Sequence, residues 1–123
     1  MIGSVASVLV ALAFVSLGVG SYVAPSALAE NYGLPLSTPT EFAYLRALGT
    51  RDFVLGLLVA GFALRSEFRP ALQTTISLCA IVAAGDLAAV ATVRGAAPKA
   101  SLAIHAGGIV GLLAVCGLLG AEL

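Results

Sequence analysis

Charged side chains are scarce in this sequence, and their signs balance. Only 10% of the 123 residues are charged, and six lysines and arginines are matched by six aspartates and glutamates, so the formal net charge is zero. Proteins that bind nucleic acid need a basic stripe, often with interleaved aromatic residues, to neutralise the phosphates. The sequence has no such stripe, so we expect no nucleic acid among the partners.

Cysteine and histidine are also rare. Cys79 and Cys116 lie inside apolar stretches and do not form a Cys-x-x-Cys pair, so the sequence indicates neither a thiol redox motif nor a metal site. We interpret both as small apolar packing residues. His105 is the single histidine, and with Asp52 and Asp86 on two other segments it makes a weak ligand set. We therefore expect no metal and no cofactor.

Hydrophobic residues are abundant. They make up 60% of the sequence, and the mean hydropathy of +1.09 is far too apolar for a soluble domain of ordinary composition. Four apolar segments are each long enough, at roughly 20 residues per crossing, to span the hydrocarbon core as helices. The predicted spans cover about residues 2–24, 39–64, 70–94 and 98–121.

The short connections between these spans predict how they assemble, because helices joined by short loops pack as antiparallel neighbours. We expect an all-α, multi-pass integral membrane protein, a four-helix up-and-down bundle that forms one domain over residues 1–123, with the lipid bilayer as a partner. Pro25 and the segment 31–35 predict a loop after the first span. Thr38, Pro39 and Glu41 predict a capped start for the second.

Small residues recur at helical spacing and predict close contact between helices. They suit tight packing within one bundle or the face of a homodimer, and the sequence leaves both open. The residues concerned are Gly3, Ser7, Ala11, Gly56, Ala60, Gly107 and Gly111.

Five ionisable residues lie well inside the predicted spans, away from their ends, and mark a candidate site. Arg46, Arg51 and Asp52 are on the second span, and Asp86 and His105 are on the third and fourth. A charge in hydrocarbon is expensive, so such residues indicate function by default. At a rise of about 1.5 Å per residue, three helices bring these groups to the same half of the bundle.

Helical phase separates the residues of the second span into faces. At about 100° per residue, Glu41 and Asp52 point within roughly 20° of each other, and Tyr44 and Arg51 share the adjoining face. Arg46 points about 120° away from Asp52. We therefore expect Tyr44, Arg51 and Asp52 to face one cavity, with Glu41 toward its mouth.

The motifs that carry these residues resemble those of a known family. Over roughly residues 40 to 120, the sequence is similar to the small four-helix membrane proteins of domain-of-unknown-function family 4267. The resemblance implies the four-helix architecture and a site built from Arg46, Arg51, Asp52, Asp86 and His105, but implies little about the substrate. It rests on the runs RALGTRD at 46–52, GLL at 56–58, GD at 85–86, RG at 94–95 and IHAG at 104–107.

The first functional hypothesis is a membrane-embedded enzyme that acts on a lipophilic small molecule. Asp52 and Asp86 would divide the acid and base roles in epoxide opening, isomerisation or cyclisation. Arg51 would orient the group that reacts, and Tyr44 or His105 would move a proton. We expect the substrate to be bound by Arg46, Glu41 and Arg94.

Two other hypotheses remain. In a small proton-coupled transporter, an intramembrane carboxylate would carry the proton, yet the small multidrug resistance exporters place theirs on the first helix, which here has no ionisable side chain. In a non-catalytic assembly subunit, the charges would only specify helix pairing. Arg65 and Arg69 at one end of the bundle match Arg94 and Lys99 at the other, so the sequence predicts no orientation.

Overall fold

The structure, a computed structural model, describes residues 2–92 and 99–122. Within these ranges the chain is all-helical and contains no strand. It forms five α-helices and one turn of 3-10 helix at Ser66–Phe68. The α-helices are α1 (Ile2–Val23), α2 (Pro25–Tyr32), α3 (Pro39–Ala63), α4 (Arg69–Thr92) and α5 (Lys99–Gly120).

Three of the described helical segments are long and apolar enough to cross a membrane. They are Ile2–Val23, Ser66–Thr92 and Lys99–Gly120. Helix α3 is as long as these, but it carries Glu41, Arg46, Arg51 and Asp52. The predicted membrane character therefore has direct support from three helices, and the fourth long helix differs from them in its charge.

Helix α2 corrects the sequence-based prediction of a loop after the first span. Pro25 is at its N-terminus, where the fixed φ of proline and its missing N–H suit the first turn. The helix ends at Gly33, whose φ of 81° is the left-handed conformation that closes many helices. Pro25 therefore begins a helix as well as marking the break after α1.

The predicted capping box at the start of α3 is confirmed. The Glu41 backbone N–H donates to Thr38 Oγ1 at 3.3 Å, and the Thr38 backbone N–H donates to Glu41 Oε2 at 2.8 Å. Pro39 occupies the first turn, as predicted. These bonds satisfy two backbone donors that the helix itself leaves unpaired, so they fix where α3 begins.

Helices α1 and α3 pack antiparallel at backbone distance. A Cβ built at Gly56 would lie 2.8 Å from the backbone nitrogen of Val15 and 2.9 Å from the carbonyl oxygen of Ala11. Further along, Gly49 lies against the side chain of Ser21. The predicted close contact is thus confirmed for α1 and α3, and glycine at these positions makes it possible.

The other neighbouring helices are also antiparallel. The Gln73 side chain of α4 donates to the carbonyl oxygen of Cys116 on α5 at 3.3 Å. At one end of α1, the Gly3 backbone N–H donates to Glu122 Oε1, just beyond α5, at 2.7 Å. Among residues 2–92 and 99–122, no atom lies within 4 Å of a Cβ built at Gly107 or Gly111, so the predicted close contact is wrong for these two residues within that part of the chain.

The apolar core lies in the half of the molecule near the connection between α3 and α4. It is formed by residues of all four long helices, and both Cys79 and the aliphatic side chains around it are buried there. The other half, toward α2, contains the ionisable residues that line the cavity described below, Asp52, Asp86 and His105. The core members are Ala11, Val59, Leu72, Ile76, Cys79, Ala80, Leu112, Val115 and Leu119.

Because α1 contacts some glycines of α3 and not others, we expect glycine-to-alanine substitutions along α3 to differ in their effect on stability. Gly56→Ala should lower the free energy of unfolding by about 1–3 kcal/mol, because the added methyl group would meet backbone atoms that cannot move aside. Gly61→Ala is the matched control, since a Cβ there meets no atom within 4 Å. Thermal unfolding of the purified protein in detergent, followed by circular dichroism, measures both. Equal stabilities of the two variants would contradict the prediction.

Candidate functional site

Arg51 joins two aspartates from different helices. Its Nη1 donates to Asp86 Oδ1 at 3.2 Å, and its Nη2 donates to Asp86 Oδ2 at 2.8 Å, which makes the pair bidentate. The Nε atom of Arg51 donates to Asp52 Oδ1 at 3.0 Å, and Nη2 lies 2.9 Å from the same oxygen. The structure thus brings together the three charged residues predicted to form the centre of the site.

The three residues of this cluster differ in exposure. Asp52 is only 3% exposed, whereas the side chains of Asp86 and Arg51 are 20% and 31% exposed. Two ionised carboxylates against one guanidinium would leave one negative charge in apolar surroundings. Such a charge is unfavourable unless a proton, a cation or hydrogen bonds compensate it.

Asp52 and Asp86 both lie on the wall of a cavity of about 770 Å³. Most of the wall is aliphatic, and α1 contributes only apolar side chains, among them Phe14 and Leu17. The cavity volume falls in the range of about 300–1,000 Å³ that is typical of small-molecule sites. Its polar side chains are those of Asn31, Tyr32, Asp52, Asp86 and His105.

His105 reaches this cavity from α5, as predicted. Its ring meets the ring of Tyr32 edge-on, with 4.8 Å between the centroids. Its Nε2 atom lies 3.4 Å from the carbonyl oxygen of Tyr32. The imidazole is therefore held by α2, and it lines the same cavity as the two carboxylates.

The cavity opens sideways between α1 and α5. Leu9 on α1 and Ile104 on α5 line it, yet they are 64% and 60% exposed. Gly108 and Gly111 also line it and are exposed, and they leave the edge of α5 without side chains. In a bilayer, an apolar opening of this kind on the flank of the protein would face lipid rather than water.

Tyr32 is the functional candidate that sequence reasoning missed. Burial, and to a smaller extent the negative charges of Asp52 and Asp86, raise the pKa of its hydroxyl to about 12. The Tyr32 hydroxyl therefore remains protonated at physiological pH, so it can donate a hydrogen bond but cannot act as a base. In the sequence, Pro25 and Gly33 are the signals that could have identified the start and the end of α2, the helix that carries Tyr32.

Two residues predicted for the site are directed elsewhere. Tyr44 is 70% exposed and is not on the cavity wall. The guanidinium carbon of Arg46 lies 6.0 Å from the ring centroid of Tyr22, on the exposed contact between α1 and α3. The structure does not bring Tyr44 or Arg46 to the carboxylates.

The remaining predicted substrate contacts are also apart from the cluster. Glu41 accepts hydrogen bonds from the backbone of Ser37 and Thr38 and therefore serves the cap of α3. Arg94 lies outside the described residues. Within residues 2–92 and 99–122, no group of three His, Cys, Asp or Glu side chains is positioned to hold a metal ion.

A family model described as a domain of unknown function (DUF4267) matches residues 11–119. The chain belongs to this family. The match confirms the resemblance and extends it from α3, α4 and α5 to most of α1. No curated protein and no solved structure matches this DUF4267 protein.

Because the cluster has two carboxylates and one guanidinium, we expect substitution of the arginine to destabilise the protein more than substitution of an aspartate. Arg51→Gln leaves two carboxylates without their cation and should cost about 3–5 kcal/mol of unfolding free energy. Asp86→Asn leaves Arg51 paired one-to-one with Asp52 and should cost less than about 1.5 kcal/mol.

Thermal unfolding in detergent at neutral pH measures this difference. Arg65→Gln is the control, because it removes an exposed arginine whose loss should change stability by no more than about 0.5 kcal/mol. If Arg51→Gln is as stable as Asp86→Asn, the two carboxylates do not depend on the guanidinium.

Proposed function

We propose that this DUF4267 protein is a multi-pass membrane enzyme that acts on a lipophilic small molecule by acid–base chemistry of two carboxylates. The observation that carries the proposal is the position of Asp52 and Asp86. Both face one apolar cavity, and a single guanidinium, that of Arg51, binds both. A pair of titratable groups in unlike environments is the usual arrangement for separate acid and base roles.

The proposed membrane architecture is a four-helix up-and-down bundle formed by α1, α3, α4 and α5. Three of these helices are apolar enough to span a bilayer. In α3, Arg51 binds both its neighbour Asp52 and Asp86 of α4, so the positive charge of the guanidinium is paired inside the protein. The antiparallel contacts between successive long helices support the same topology.

We assign the acid role to Asp52 and the base role to Asp86. Asp86 has the bidentate contact with Arg51, and this contact favours its anion. Asp52 is almost completely buried, and ionising a buried carboxyl group is costly. One proton on Asp52 makes the three-residue cluster neutral, which the apolar wall of the cavity favours.

Epoxide opening illustrates how this pair would work. Asp86 accepts a proton from a water molecule whose oxygen attacks an epoxide carbon. The carbon–oxygen bond breaks, and Asp52 donates its proton to the departing oxygen, so the product is a diol. Transfer of the proton from Asp86 back to Asp52 restores the starting state, and His105, which lines the same cavity, would assist it.

Isomerisation or cyclisation would use the same two groups without water. Asp52 would protonate an oxygen or a double bond, and Asp86 would remove a proton from a neighbouring carbon. The apolar wall would hold the substrate and limit the access of water. The hydroxyl group of Tyr32 would donate a hydrogen bond to an oxygen of the substrate.

The two other hypotheses have less support. Charges that only specified helix pairing would not need a cavity of about 770 Å³ beside them. A transporter needs access to the carboxylates from both sides of the membrane. The half of the protein near the connection between α3 and α4 is instead filled by the buried side chains of Leu72, Ile76 and Leu119. The apolar lateral opening instead favours entry from lipid.

The proposal is tested by comparing the wild type with Asp52→Asn and Asp86→Asn. Each protein is purified, reconstituted in lipid vesicles and incubated with a panel of lipophilic epoxides and olefins, and the products are measured by mass spectrometry. We expect at least one substrate to be converted by the wild type. Each asparagine variant should convert it about 100-fold more slowly, which is the lower range for loss of a general acid or base.

Glu30→Gln is the matched control. It makes the same carboxyl-to-amide change on the exposed surface of α2, away from the cavity, and should retain full activity. Identical conversion by the wild type and both aspartate variants, or no conversion of any substrate in the panel, would contradict the proposed function.

A further inference from the structure

The polar groups of the cavity are confined to one of its ends. Arg51 joins Asp86 to Asp52, so these aspartates of α3 and α4 lie at one level along the bundle. On α1, the same level is near Leu17, because the adjacent Gly18 contacts Phe53, the residue that follows Asp52.

The rest of the cavity is apolar and elongated. From Leu17 it follows α1 to Ala6, and from His105 it follows α5 to Val115. At a rise of about 1.5 Å per residue, each of these stretches is about 15 Å long. Within the described part of the chain, its wall between these levels consists of aliphatic residues, glycine and Phe14.

The two ends of the cavity are closed in different ways. At the polar end, Leu28, Asn31 and Tyr32 of α2 lie over the carboxylates. At the apolar end, a Cβ built on Gly3 would lie 3.1 Å from the backbone nitrogen of Leu119, so α1 and α5 are in direct contact there. Between these ends, exposed lining residues lie on both helices, Leu9 and Ala13 on α1 and Gly108 and Gly111 on α5, and they mark the opening.

From this shape we infer that the substrate is an elongated lipid-like molecule whose reactive oxygen is at one terminus, and that it enters sideways between α1 and α5. The inference rests on the proposed function and adds a substrate class to it. The terminal oxygen lies at Asp52 and Asp86, and the apolar chain follows α5 toward Val115. A reactive group in the middle of a chain does not fit, because α2 occupies the space on the other side of the carboxylates.

The orientation of the bound chain can be tested without turnover, by photo-crosslinking in lipid vesicles. Two long-chain primary alcohols serve as unreactive probes, one with a diazirine next to the hydroxyl group and one with a diazirine at the far end of the chain. The first should label residues 28–32 and 104–105, and the second should label residues 6–10 and 111–115. Identical labelling by the two probes, or labelling spread evenly over exposed Leu57 and Ile81, would overturn the inference.

Substitutions on α5 supply a matched pair of variants. A Cβ built at Gly111 or at Gly107 meets no atom of the described residues within 4 Å, and of the two glycines Gly111 lines the cavity whereas Gly107 does not. Gly111→Phe should reduce labelling by the far-end probe about tenfold, which corresponds to about 1.4 kcal/mol of binding free energy. Gly107→Phe should leave it unchanged. Equal behaviour of the two variants would overturn the inference.

Competition experiments with unlabelled alcohols test separately how binding depends on the position of the hydroxyl group and on the length of the chain. A long primary alcohol should compete with the near-end probe at least about tenfold better than a secondary alcohol of the same length with its hydroxyl group in the middle. In Gly111→Phe, a primary alcohol too short to reach residue 111 should compete as well as in the wild type. Equal competition by the primary and secondary alcohols would overturn the inference.

The outcomes for substrate class and for enzyme activity are distinguishable. If the labelling has the expected orientation but no substrate is converted, the site binds terminally oxygenated chains and the proposed function fails. If epoxides or olefins are converted but labelling shows no orientation, the proposed function stands and the substrate class is wrong.

Discussion

The bond between one guanidinium and two carboxylates is the interaction on which the rest of this structure depends. Arg51 can remain charged inside an apolar helical protein only because Asp52 and Asp86 surround it at hydrogen-bond distance. This requirement sets the register of α3 against α4. It also leaves the cluster with one more carboxylate than cations, and the neighbouring cavity is where a proton or a ligand can compensate that excess.

Much of this arrangement could be predicted from the sequence, because depth along a helix is a simple function of residue number. Depth predicted that Asp52, Asp86 and His105 lie in the same half of the bundle, and in the structure all three line one cavity. Helical phase was less reliable. Tyr44 and Arg51 share a face of α3, but the flexible side chain of Arg51 extends to Asp86, whereas Tyr44 remains exposed on the surface. Phase gives the direction in which a side chain leaves the helix, not the neighbour that it reaches.

The contribution of α2 could not be predicted by the same reasoning. Its eight residues are too few to show a clear hydrophobic period, and tertiary packing rather than intrinsic propensity stabilises a helix of this length. Only its ends, Pro25 and Gly33, carried a usable signal. Missing this helix meant missing Tyr32, whose ring packs against His105 and whose hydroxyl group stays protonated beside the carboxylates.

Close packing and open space are two results of the same distribution of small residues. Gly49 and Gly56 bring α3 into backbone contact with α1, and this contact fixes α1 on the α3 side of the molecule. Gly108 and Gly111 of α5 face α1 without a partner, so the two helices enclose a cavity instead of filling it. A buried ion pair alone contributes little net stability compared with apolar packing. Because the ion pair lies beside unfilled apolar space, the arrangement suits binding and chemistry better than it suits stability.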